Sequence, residues 1–235
     1  MSGWTDRRAG AVVGLAGAIL SGIGDVLILG RSSSARDFDR AEGVIPPHID
    51  ADRRWRSLWN GTMLAPSRIH AGTLTGVVGI GLLQWLGMRG IAGAIRPGVL
   101  RRLATASATA FAVSGVLTHV CCGTVILAYR RAAETGTEPA AGTRPSPRSV
   151  TTLLAASAVG ALSALAAFSA SLTIEALRRN PAPTVWALVT PFPCVMSTLL
   201  TFGYLPAPVA GYVRPASMSI GLIIYFAVTA APDGH

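Results

Sequence analysis

The sequence predicts an all-α, polytopic transmembrane bundle of about six spans, with a candidate interfacial helix in the first connection. Three observations predict it. The chain of 235 residues is 51% hydrophobic and only 13% charged, with a mean hydropathy of +0.50. Its apolar residues gather into several runs of about 20, enough to cross a bilayer as helix. Its arginines stand mainly at the ends of those runs, where they reach lipid headgroups. Reading apolar runs between arginine flanks places spans at roughly 9–30, 70–88, 103–129, 150–177, 184–204 and 214–232. All of 1–235 is read as one integral-membrane domain with both termini on one side.

The first span opens as "MSGWTDRRAGAVVGLAGAILSG", a basic start followed by an apolar run, as in a signal peptide. The run continues past the region of a cleavage site to Leu29, so it is read as a retained helix. The longest connection, 31–69, carries Trp55 and Trp59 four apart among arginines, the pattern of an interfacial helix. His48, Asp50 and Asp52 in the same connection read as a solvated loop. Small residues recur through the spans, including Gly10, Gly14, Gly17 and Ser21 in the first and Gly72, Gly76 and Gly79 in the second. They read as packing devices that let helices approach closely. The connection 130–149 has the Pro, Thr and charge content of a loop. Span five contains "TPFPC", where Pro191 and Pro193 are expected to kink or break the helix and leave a pocket beside Pro191.

Composition also excludes. The formal charge of +9 comes from 20 basic residues, all arginine, and their flanking positions point to headgroups rather than nucleic acid. The absence of lysine rules out a retinal Schiff base or other lysine-imine chemistry. Cys121, Cys122 and Cys194 fall in apolar segments and form neither a disulfide framework nor a C-x-x-C pair. Arginine counts on the two sides do not decide the orientation, and no internal repeat supports an inverted-repeat transporter. Arginine-only basic usage with much Ala and Gly fits a GC-rich bacterial genome, hence a bacterial inner membrane.

The unusual residues are polar. Asp25, in "SGIGDVLILG", lies roughly 7 Å inside the first-loop boundary at the helical rise. His70 opens span two on that side, His119 lies deeper in the same half of span three, and Arg214 opens span six there. Four ionisable groups from four helices are thus expected to converge on one leaflet. Glu175, at the opposite side, precedes Arg178 and Arg179 by three and four residues and reads as a structural ion pair. Asp25 has no such in-helix partner. Its same-face neighbours Ala18, Ser21 and Gly22 are small and suit a helix contact. An unhelped carboxylate in a membrane costs on the order of 3 kcal/mol, so Asp25 is expected to be neutral or paired, with Arg214 as the structural alternative. "GIGD" spells the Gly-x-Gly-Asp signature of intramembrane aspartyl proteases, but those need two aspartates, and no second one lies in any span. A metal site from His119, Cys122 and Cys194 lacks the spacing and a fourth ligand.

Three pieces, "GDVLILG", "SRIHAGTLTGVVGIGLLQWLG" and "RPASMSIGLIIYFAVTAA", resemble a family of small bacterial multi-pass proteins of unassigned function, with a first-helix Gly-Asp and an Arg-Pro before the final helix. In size and architecture the chain is also similar to the small integral-membrane terpene cyclases of bacterial indole and diketopiperazine terpenoid pathways. That likeness implies a protonation-initiated cyclisation of an apolar isoprenoid, with no metal or other cofactor, in the membrane lipid and alongside a prenyltransferase. Asp25 would be the acid, His119 or His70 would tune or return the proton, and Arg214 would set the local field. Trp59, Phe192, Tyr204 and Tyr225 would face cationic intermediates. The alternatives are a proton-linked transporter or lipid-binding protein in which Asp25 titrates, and a structural membrane subunit.

Overall fold

The computed structural model describes residues 2–30, 64–135, 147–180, 189–202, 205, 209 and 213–231. Within them the chain is all helical. Four helices are long and apolar enough to cross a membrane: α1 (Ser2–Leu29), α2 (Pro66–Gly93), α3 (Val99–Thr135) and α4 (Pro147–Arg179). Two apolar helices are shorter, α5 (Pro191–Phe202) and α6 (Ser217–Ala230), with 12 and 14 residues. Large apolar side chains repeat on outward faces, as Val12, Ile19 and Ile23 on α1 and Leu74, Val78, Leu82 and Leu86 on α2, as expected of helices solvated by lipid. Trp55, Trp59, His48, Asp50, Asp52 and Tyr204 lie outside the described residues.

α1 is the central element, packed against both α2 and α6, while α4 packs chiefly along α3. The α1–α2 contact is backbone against backbone. A Cβ at Gly24 would lie 2.7 Å from the Gly72 carbonyl oxygen and 2.9 Å from the Gly76 nitrogen, so no larger residue fits there without separating the helices. In lipid, where apolar tails compete equally for apolar side chains, such close van der Waals packing holds helices together. Gly72 and Gly76, read as packing devices, do this work together with Gly24, which was not.

Polar groups close the helix ends. Arg68 donates from Nε to Leu27 O at 3.1 Å and from Nη2 to Gly30 O at 2.7 Å, carbonyls at the end of α1, and adds a second donor at 3.0 Å to Val26 O, which also accepts the Gly30 N–H at 2.8 Å. Arg214 lies just beyond the end of α5, with Nε and Nη2 each 3.2 Å from the carbonyls of Phe202 and Leu205. On the opposite side, buried Glu175 accepts from Arg179 and from Arg96 in the α2–α3 turn, each at 2.8 Å. The expected in-helix pair is present with Arg179, and Arg96 extends it into a strut between α4 and that turn.

Pro191 and Pro193 do not kink a helix. α5 begins at Pro191, where the missing N–H falls on a donor that has no intrahelical acceptor in any case. The next free donor, Phe192 N–H, is taken by Ser169 Oγ of α4 at 2.9 Å. Beside Pro193 rather than Pro191 lies a shallow groove, lined also by Val189, Cys194, Phe202 and Ile224.

Gly24→Val is expected to cost about 1–3 kcal/mol by overpacking the α1–α2 contact, whereas Ile23→Val on the lipid face should stay within about 0.5 kcal/mol of wild type. Reversible unfolding in mixed micelles measures both. Equal losses would show that the close approach carries no stability.

Candidate functional site

The site begins with four residues on one face of α1. Gly17, Ala18, Ser21 and Asp25 fall within about two helical turns, and the first three are buried. Asp25 receives two partners from other helices. Its Oδ2 accepts a hydrogen bond from Ser219 Oγ of α6 at 2.7 Å. Its Oδ1 lies 3.1 Å from His119 Nε2 of α3.

The contacts continue away from the carboxyl. Ser219 Oγ is 3.0 Å from Ser21 Oγ. Ser21 Oγ in turn accepts from Gln84 Nε2 of α2 at 2.7 Å, and Gln84 Nε2 also reaches Gly17 O at 3.3 Å. Because Ser219 gives its proton to Asp25, its oxygen is free to accept from Ser21, whose own oxygen accepts from Gln84. The chain from Gln84 through Ser21 and Ser219 therefore points its donors toward Asp25, the arrangement in which each bond polarises the next. Ser21 Oγ also lies 3.1 Å from Ala18 O, a second acceptor for its proton.

Two backbone features place the outer members. Residues Gly79–Gln84 form a π-helical segment inside α2, whose widened turn shifts the register and sends fully buried Gln84 inward. The His119 ring lies directly on Gly76. A Cβ there would come within 2.1 Å of Nδ1, so the imidazole occupies space that only glycine leaves open. His119 Nδ1 and Gln84 Oε1 are both buried without a hydrogen-bond partner among the described residues.

Asp25, His119, Gln84 and Ser219 line one cavity of about 300 Å³ with walls from all six helices. Ile28, Ile80, Phe111, Ala161 and Leu222 make most of the wall apolar, and Thr118, Cys122 and Arg214 add to its polar groups. Beyond Gln84, toward the opposite side, the interior continues as the apolar cluster of Ala11, Met88, Phe168 and Phe226.

Of the residues singled out in the sequence, Asp25, His119 and Arg214 meet at this cavity. The structure pairs Asp25 with Ser219 and His119, while Arg214 turns to the carbonyls of Phe202 and Leu205, so the Asp25–Arg214 pair is replaced by a carboxyl–imidazole contact. His70 is exposed on α2 and stands outside the cavity wall. Phe192 packs against the core and Tyr225 is buried within it, neither lining the cavity. Trp59 and Tyr204 are outside the described residues. Cys122 lines the cavity with His119, whereas Cys194 lies on the separate groove.

Sequence reasoning passed over Ser219, Gln84 and Phe111 and took Ser21 only as a small residue. Gln84 carried a signal, being the lone amide in "GVVGIGLLQWLG". Ser219 carried almost none, because serine is common in membrane helices and bonds to its own backbone.

Four apolar helices of spanning length, with a half-buried carboxyl and a buried imidazole in contact among them, define a membrane protein of the helical-bundle class. The chain belongs to DUF6796, a family of unknown function, which matches residues 6–231. No curated protein and no solved structure matches it.

A double-mutant cycle of Asp25→Asn and His119→Gln, read by unfolding in mixed micelles, is expected to give a coupling of about 1 kcal/mol or more, the range of contacting residues. Strictly additive losses would mean that the two groups do not act as a pair.

Proposed function

We propose that this protein is an integral-membrane enzyme that uses Asp25 as an intramembrane acid on an apolar isoprenoid or lipid substrate, in a protonation-initiated cyclisation. The observation that carries the proposal is the Asp25–His119 contact on the wall of an apolar cavity of about 300 Å³, at the lower end of the range of small-molecule sites.

In its neutral form the Asp25 carboxyl gives its proton to an alkene carbon or an epoxide oxygen held against the wall. A second alkene of the same chain attacks the cation, forming the ring bond. Loss of a proton from the carbon beside the final cation closes the cycle, and His119 or the Asp25 carboxylate accepts it, so substrate and product are isomers. Ser219 Oγ, 2.7 Å from Oδ2, holds the carboxylate left after the first transfer without needing to reorient. Phe111 is the aromatic ring on the cavity wall and takes the cation-facing role expected of the more distant Phe192 and Tyr225. Arg214 sits at the first-loop end, suited to the polar end of an amphiphile.

Proton-linked transport through Asp25 would need a polar path from both sides. The apolar cluster of Ala11, Met88, Phe168 and Phe226 beyond Gln84 favours a blind cavity instead. A bacterial inner membrane and a prenyltransferase supplying the substrate belong to the same proposal.

Cells supplied with farnesylated and epoxidised terpenoid precursors are expected to yield a cyclised isomer of unchanged mass. Asp25→Asn should abolish it, and Ser219→Ala should reduce it by about tenfold or more, the scale of losing one donor to a developing charge. Mass spectrometry with chromatographic separation reads both. With expression and precursor delivery established, no isomer from the wild type, or an equal yield from Asp25→Asn, overturns the proposal.

A further inference from the structure

Where the hydrogens of the Asp25–His119 pair sit follows from what surrounds each atom. His119 Nε2 lies 3.1 Å from Asp25 Oδ1. Nδ1 rests against Gly76, buried and with no hydrogen-bond partner among the described residues. A neutral imidazole carries one N–H, on one nitrogen or the other. On Nδ1 it would be an orphaned buried donor, a rare and costly state. On Nε2 it is given to Oδ1, and Nδ1 keeps only an unused lone pair. Oδ1 is then an acceptor whatever the charge of the carboxyl, so a proton taken up by Asp25 goes to Oδ2.

Oδ2 faces Ser219 Oγ at 2.7 Å. With the carboxyl ionised, Ser219 donates to it. With the carboxyl neutral, Oδ2–H donates and Ser219 accepts, and Ser219 has to send its own hydrogen elsewhere. Ser21 Oγ is 3.0 Å away, and either serine can be the donor. Ser21 already accepts from Gln84 Nε2, but a hydroxyl oxygen has two lone pairs. For its own hydrogen Ser21 has a second acceptor, Ala18 O at 3.1 Å. The chain therefore runs in two directions over one set of heavy atoms. It passes from Ser21 to Ser219 to Asp25 when the carboxyl is charged, and from Asp25 to Ser219 to Ser21 to Ala18 O when it is neutral. Both serines are buried, and neither hydroxyl is left unmatched in either state.

We infer that His119 is an Nε2–H donor to Asp25, that Asp25 in its acid form carries its proton on Oδ2, and that Ser21 is a positioning residue, the point at which the chain turns round to match that form. Within the proposed cyclisation, on which this step alone rests, the same geometry chooses the base. A second proton on His119 would have to sit on Nδ1, where nothing among the described residues accepts it. The final C–H bond therefore gives its proton to Oδ2 and its electron pair to the new alkene, which restores the acid.

The test needs no substrate. The full chain in lipid bilayers, with isotope-labelled histidine, is followed by nitrogen NMR and by infrared difference spectra between high and low pH. His119 is assigned by its loss in His119→Gln, and the carboxylic-acid band of Asp25 by its loss in Asp25→Asn. That variant also separates Asp25 from Cys122 of α3 and Arg214 of α6, the other ionisable groups on the cavity wall, to which α2, α4 and α5 bring none. His119 is expected to show a protonated Nε2 and a bare Nδ1 on both sides of the pH change at Asp25. In Ser21→Ala the acid band should shift while the carboxylate bands stay in place, because Ser219 still donates to the ionised form. A hydrogen on Nδ1, alone or with one on Nε2, overturns the inference and leaves Asp25 available as the acid. An acid band that Ser21→Ala leaves unmoved, or a shift of acid and carboxylate bands together, overturns the role of Ser21. No Asp25 acid band at any pH at which the bundle stays folded removes the acid itself, and the inference with it. Should Ser21→Ala not fold, the wild-type nitrogen spectrum still decides.

Discussion

The distance between α1 and α2 governs the rest of the first-loop half. With ordinary side chains between them, these helices would stand a layer of atoms further apart. His119, reaching over α2 from α3, would then meet a side chain at position 76 instead of open space. The backbone contact at Gly24, Gly72 and Gly76 therefore does two things at once. It binds two helices where lipid supplies no hydrophobic drive, and it lets a residue of α3 touch a residue of α1 across the helix between them.

That geometry makes half-buried Asp25 unlike buried Glu175. Glu175 accepts from Arg96 and Arg179, permanent cations that share little by way of protons with it, and so it behaves as a strut. Asp25 is met by a hydroxyl and an imidazole. An imidazole can take or give a proton in the physiological range, and a hydroxyl accommodates either charge state of its neighbour by rotating. The two carboxyls thus differ in their partners: fixed cations hold the one at one side of the membrane, a hydroxyl and an imidazole the other.

Depth was legible in the sequence and azimuth was not. Counting residues from the ends of apolar runs put Asp25, His119 and Arg214 in one leaflet, and they do meet at one cavity. The same count put His70 there, yet one helical position separates it from buried Ile69, and it faces outward with Leu74. A run that is apolar all round gives no stripe from which to read that rotation. The π-helical segment adds a further shift within α2 that no residue pattern announces, so the lone amide of Gln84 marks an unusual position without showing which way it faces. Span five shows the other difficulty. Its prolines were correctly read as obstacles to a continuing helix, but a proline is equally at home in the first turn, and only the neighbouring Ser169 shows which role is filled.

Arg68 has a consequence beyond closing α1. It stands at the start of α2 and holds the carbonyl of Gly30, so the long first connection leaves and re-enters the bundle at one point. The entropy of bringing its ends together is met by a guanidinium clamp inside the folded part, whatever residues lie between. Doubling the length of a flexible connection adds only about 0.6 kcal/mol to closure. A change in the length of the segment 31–63 of this chain is therefore expected to cost little in closure, provided Arg68 and the carbonyls it gathers are kept, and to leave Asp25 where it is.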